Sequence, residues 1–131
     1  MLPELFVLLY AGHLTADYAL QTDHQAEHKA AAGAAGWRAN VAHAATHLVV
    51  ASSMLVIGHL VLDLPIPALP ALGALTWITT THAILDRRWP ITAWMRIARQ
   101  QAWAQRGGAA HVDQTAHILV LLVAALALSA T

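Results

Sequence analysis

Cysteine is absent from this chain, which excludes disulfides, thiolate metal ligands and a cysteine nucleophile. Charge is scarce too: Asp, Glu, Lys and Arg make up 11% of 131 residues, against about 25% in a soluble domain. Seven basic and seven acidic residues cancel, so no basic face calls for nucleic acid. Serine occurs only at Ser52, Ser53 and Ser129, and no Gly-x-Ser-x-Gly elbow, phosphate-cradling glycine loop or His-Glu-x-x-His helix is present. Nothing before Lys29, between Arg38 and Arg87, or after Arg106 is basic, and between Asn40 and Leu85 the only charged residue is Asp63. Helices in water need a polar face along their length. These segments have none.

What is present is apolar surface, 58% of residues, and nine histidines. Four apolar stretches stand out, at about Leu2–Leu20, Val41–Leu64, Ala68–Leu85 and Val112–Ala130. Each approaches the ~20 residues a helix needs to cross ~30 Å of hydrocarbon. Their length and their Ala and Leu content argue against strands. Pro65, Pro67 and Pro70 make the second and third a tight antiparallel hairpin. Neither end carries the basic region and cleavage site of a targeting segment. The expected fold is all-α, with residues 1–131 forming one integral membrane domain of four transmembrane helices.

Orientation follows from the basic residues. Lys29 and Arg38 fall in the first loop, and Arg87, Arg88, Arg96, Arg99 and Arg106 in the third. In a four-span bundle these loops share one side, which the positive-inside rule places in the cytoplasm of a bacterial-type membrane, with both termini outside. Lys29 and Arg38 are read as orientation markers that touch anionic headgroups, with the holding of a substrate phosphate as a secondary role. Within 87–106, Ile91, Trp94, Met95, Ala98 and Ala102 recur at helical spacing. That pattern predicts an amphipathic helix in the headgroup layer, anchored by Trp89, Trp94 and Trp103 and ended by Gly107 and Gly108.

The chemistry lies in a repeated spacing. His13 and Asp17, His43 and His47, His82 and Asp86, and Asp113 and His117 are all i,i+4 pairs, one on each expected helix. That spacing sets both side chains on one helix face, from which two residues can ligate one ion. Shuffling the 14 His and Asp residues would give about one or two such pairs. The chain has six, the others being His24/His28 in a polar loop and His59/Asp63 at the outward end of the second helix. Topology adds a second constraint. The pairs end helices one and three and begin helices two and four, so all four lie at one depth on the cytoplasmic side.

Ionisable groups at membrane depth are costly unless paired and mark function by default. Five imidazoles and three carboxylates exceed one tetrahedral zinc and suit two divalent ions. Zinc leads, with iron and manganese compatible with the same sulfur-free donors. Gln21, a turn beyond Asp17, is a candidate ligand or supporting donor. Gln114 is a second candidate, although on a regular helix it faces away from Asp113 and His117.

His13-x3-Asp17-Tyr18-x2-Gln21, His43-x3-His47, His82-x3-Asp86 and Asp113-Gln114-x2-His117, in that order, resemble the signature of a bacterial and phage family of small membrane proteins. That family is catalogued as domain of unknown function 3307. The resemblance covers nearly the whole chain. Tyr18 stands where members commonly have Phe, and Arg87 and Arg88 stand near a position often held by Lys. The resemblance implies no activity. A looser similarity links the pattern to proteins labelled predicted membrane-bound metal-dependent hydrolases.

Three functions remain open from the residues. One is a metal-dependent membrane hydrolase acting on a lipid or lipid-linked phosphoester, a substrate class that rests on the site's depth below Arg and Trp residues. The others are a non-enzymatic metal-binding or ion- or proton-conducting protein, and a structural bundle with a polar core. Membrane lipid is the expected partner, and the sequence leaves the oligomeric state open.

Overall fold

Helix-favouring Ala and Leu form the long elements, while proline, glycine and left-handed residues end them. The computed structural model describes Met1–Thr131 throughout, and it contains helices and no strand. Helix α1 spans Leu2–Leu14, with proline in its first turn, and runs into a wide π-helical turn at Thr15–Ala19. There the Leu20 amide reaches back to the Thr15 carbonyl at 3.1 Å. Helix α2 (Asp23–His28) opens on a capping box between Thr22 and Gln25, so the polar stretch holding His24 and His28 is a short helix rather than a loop.

Helix α3 spans Gly33–Val61 and therefore begins well before the expected 41. Hydropathy locates the apolar run, whereas the alanine-rich Gly33–Asn40 segment extends the helix out of it. The connection to α4 (Ala68–Leu85) passes through left-handed Asp63, and α4 has the expected bounds. His59 bonds the Leu64 carbonyl at 3.1 Å, closing this turn.

Helix α5 (Trp89–Ile97) follows a left-handed Arg88. It packs on α4 and on α7 (Ala109–Ser129). The expected continuous helix over 87–106 is broken. Arg99 is left-handed, a three-residue α6 (Gln101–Trp103) follows, and Gly107 kinks the chain at φ 92° before α7. Of the predicted apolar stripe only Ile91 and Met95 are buried, and Trp94, Ala98 and Ala102 are exposed. Trp94 and Ala98 are exposed ahead of Arg99, and only Ala102 lies beyond the break there.

Helix α1 packs against α3 and α7, and α4 packs against the same two. Leu5, Leu9, Leu55, Ile78, Leu121 and Leu128 join one buried apolar cluster. The outer surface is also apolar: Val49, Leu60, Leu69 and Leu72 are 65%, 70%, 80% and 61% exposed. An exterior of this kind is matched to lipid. Three helical stretches are long and apolar enough to cross a membrane: Gly33–Val61, Ala68–Leu85 and Gln101–Ser129. The 13 residues of α1 fall short of that length on their own.

Candidate metal centre

The buried interior inverts the usual pattern. Of 28 buried residues eight are polar or ionisable, and His43, His82, His117 and Asn40 are among the largest fully buried side chains. They come from four helices. His13 lies in the last turn of α1 and Asp17 in the π-helical turn. His43 and His47 lie in α3, His82 and Asp86 at the end of α4, and His117 in α7. Opposed helix directions bring helix ends and helix starts to one level, as the paired spacing predicts.

Asp17 and Asp86 are the two foci. Asp17 Oδ1 accepts from His43 Nε2 at 3.1 Å and His47 Nε2 at 3.2 Å, and Oδ2 lies 3.1 Å from His13 Nε2. Asp86 Oδ2 lies 3.1 Å from His82 Nε2 and 3.4 Å from His43 Nε2, and Oδ1 lies 3.9 Å from His117 Nε2. His47 and His82 have ring centroids 3.6 Å apart. Asp17, His43, His47 and His82 each offer one ligand atom, all within 4.8 Å of one another, and so do His82, Asp86 and His117. Either group could hold a metal ion. Three imidazoles and a carboxylate match zinc, iron or manganese alike.

Proximity without alignment sets this cluster apart from an ordinary hydrogen-bond network. His13 Nε2, His82 Nε2, His117 Nε2 and Asp86 Oδ2 are buried with no hydrogen bond. Each nonetheless lies within 4 Å of an oppositely polarised atom of the cluster. Buried polar atoms left unpaired cost about 1–3 kcal/mol each, and ligand atoms crowded together without bonding one another fit a cation between them, although His13 lies outside both groups.

Support around the cluster is partly in place. His117 Nδ1 donates to the Asp113 carbonyl at 3.0 Å, which leaves Nε2 unprotonated toward the cluster. The Asp113 side chain stands at the rim, 27% exposed, with Oδ2 3.6 Å from His117 Nδ1. Gln21 Nε2 donates to the Asp17 backbone carbonyl at 3.1 Å. Gln114 does turn inward, reaching Asp17 Oδ2 at 3.4 Å, because at i,i+3 from His117 on α7 it shares that residue's face. His24 and His28 stack on each other, and His59 lies at the far end of α3. None of the three joins the cluster.

Three residues were missed by sequence reasoning. Lys29, the only lysine, is turned inward: its Nζ lies 3.0 Å from Asp86 Oδ2 and 3.3 Å from His43 Nε2. Asn40, fully buried, donates to the Ala83 carbonyl at 3.1 Å and ties α3 to the end of α4. It shares a face with His43 and His47 at i,i+3,i+7, a signal the sequence does contain. Arg87 donates to the Lys29 and Ala31 carbonyls at 2.8 and 2.7 Å and lies over the Trp37 ring, 4.5 Å from its centroid. It holds the segment that carries Lys29.

No curated protein and no solved structure matches the chain. A family profile does, over residues 5–131, a span that holds every residue of the cluster. The chain therefore belongs to the family described as "Protein of unknown function (DUF3307)".

Proposed function

We propose that this protein is a membrane-embedded metal-dependent hydrolase. In this reading α1 and its π-helical turn, Leu2–Ala19 together, form a fourth span beside α3, α4 and α7. The basic segments face the cytoplasm, and both termini face outward. The single observation that carries the metal centre is the crowding of buried ligand atoms within 4.8 Å of one another, in the groups Asp17, His43, His47, His82 and His82, Asp86, His117.

The proposed ligands to two divalent ions, zinc foremost, are drawn from His13, Asp17, His43, His47, His82, Asp86 and His117, while Asp113, the eighth candidate, stays at the rim. Asp17 and Asp86 lead the two groups, with His82 common to both. A divalent cation here would polarise the bond to be cleaved and make water acidic enough to ionise near neutral pH. The protein's own groups do the rest. The Asp113 carbonyl orients His117. The half-exposed Asp113 carboxylate is the proton acceptor for the attacking water, because it alone of the eight reaches the rim.

A conducting role finds less support. Beyond the cluster the core is lined by Leu5, Leu9, Leu55, Ile78 and Leu121, with no buried titratable side chain on the way to His59. A proton or ion would meet a dry apolar layer.

Elemental analysis of detergent-purified protein tests the reading. Near-stoichiometric metal is expected in the wild type and its loss in His47→Ala and Asp86→Ala. A folded wild-type protein that holds no metal after incubation with zinc, iron or manganese would overturn it.

A further inference from the structure

A cavity of about 420 Å³ opens beside the cluster, between the end of α2, the α4–α5 turn and the start of α7. It has the size of a small-molecule site. Its polar lining is Gln21, Lys29, Asp86, Arg88, Thr92 and Asp113. Two of these, Asp86 and Asp113, belong to the proposed centre, so the cavity leads from the surface to its edge. Two are cations, and they differ. Lys29 faces Asp86 and His43, yet an ammonium has three donors. Arg88 lines the cavity as the residue before α5, and its guanidinium has no ion-pair partner among the protein's carboxylates.

The backbone of Arg88 is informative. It is left-handed, at φ 64°, a conformation that glycine adopts freely and an arginine adopts against steric resistance. Strained residues of this kind collect at functional sites. The Arg88 side chain lines the cavity, where its guanidinium has no carboxylate partner.

We propose that this cavity binds the phosphate group of an anionic ester, clamped between Lys29 and Arg88, with the rest of the molecule reaching the Asp86 edge of the cluster. Arg supplies a planar fork of donors and Lys a point charge, a pairing suited to a tetrahedral oxyanion. The cavity lies on the side of the basic segments and is lined in part by Ile91 and Thr92 of α5, so a lipid phosphate and a free phosphate compound both have access. The reacting end of this proposal rests on the metal-centre reading, whereas phosphate capture by Lys29 and Arg88 does not.

The test is phosphorus NMR titration of purified protein with inorganic phosphate and, separately, with dihexanoyl phosphatidic acid, with and without chelator. Saturable binding is expected, weakened about tenfold or more in Arg88→Gly and in Lys29→Met. Arg88→Gly keeps its metal content and melts no lower than wild type, since glycine suits the turn. Binding of the lipid alone identifies a lipid source, and equal binding of inorganic phosphate identifies the phosphate group as sufficient. No saturable binding, or binding unchanged in Arg88→Gly, would overturn the inference. Phosphate binding that depends on Arg88, in a protein that takes up no zinc, iron or manganese when these are supplied, would sink the metal reading and leave this one standing.

Discussion

Lys29 Nζ stands 3.0 Å from Asp86 Oδ2, with the lysine side chain 14% and the aspartate 4% exposed. The only lysine of the chain thus inserts its ammonium among candidate metal ligands, where it balances a buried carboxylate. A buried pair is weak evidence of stability, but removing one partner leaves an uncompensated charge and costs about 3–5 kcal/mol.

Lys29→Met therefore separates two states of the protein. Without metal the variant should melt several degrees below wild type, because Asp86 loses its countercharge. With zinc added the gap should close, since a divalent ion replaces that charge. Differential scanning calorimetry in detergent with and without zinc reads both. An unchanged melting temperature without metal would show that the pair contributes nothing.

Asp113→Asn should retain most of the bound metal and lose hydrolytic turnover. Its carbonyl, which holds His117, survives the substitution, while its carboxylate at the rim is neutralised. Elemental analysis beside an assay of ester hydrolysis distinguishes a proton acceptor from a required ligand. Metal loss equal to that in Asp86→Ala would make Asp113 an essential ligand.

Asn40→Ala should cost about 1–3 kcal/mol, as the Ala83 carbonyl is left without its donor. The end of α4 carries His82 and Asp86, so metal affinity should fall modestly while stoichiometry at saturation is kept. A chelator competition titration measures the first and elemental analysis the second.

Gly36→Ala should destabilise the protein by about 1–3 kcal/mol, in the range of overpacking changes. A Cβ at Gly36 would overlap the Ala31 carbonyl, which Arg87 also holds. The displaced 29–31 segment carries Lys29, so phosphate binding should weaken as well. Arg87→Lys should act in the same direction, because one ammonium cannot reproduce the fork that spans the Lys29 and Ala31 carbonyls.

Much of the fold is legible from hydropathy. Ala68–Leu85 is bounded by proline on one side and charge on the other, so α4 emerges at its expected limits. The start of α3 does not, because Gly33–Asn40 is helical but lies outside the apolar run that hydropathy detects. The segment 87–106 defeats periodicity for another reason. Its apolar spacing continues through Arg99, but a left-handed residue there resets the direction of everything after it.

The pairs His43/His47 and His82/Asp86 could be read from their i,i+4 spacing, since a helix face is a property of local geometry. That spacing, together with scarce charge and alternating helix direction, determined that imidazoles and carboxylates meet at one end of an all-helical molecule. Whether a side chain beside those pairs points in or out was decided only by packing. Lys29 sits in a connection whose path is set by Arg87, 58 positions away. Gln114 reaches Asp17 across 97 positions because α7 packs against α1. Periodicity reports which face of a helix a residue occupies. It carries no information about contacts between segments so distant in the chain, which exist only once the helices have closed around them.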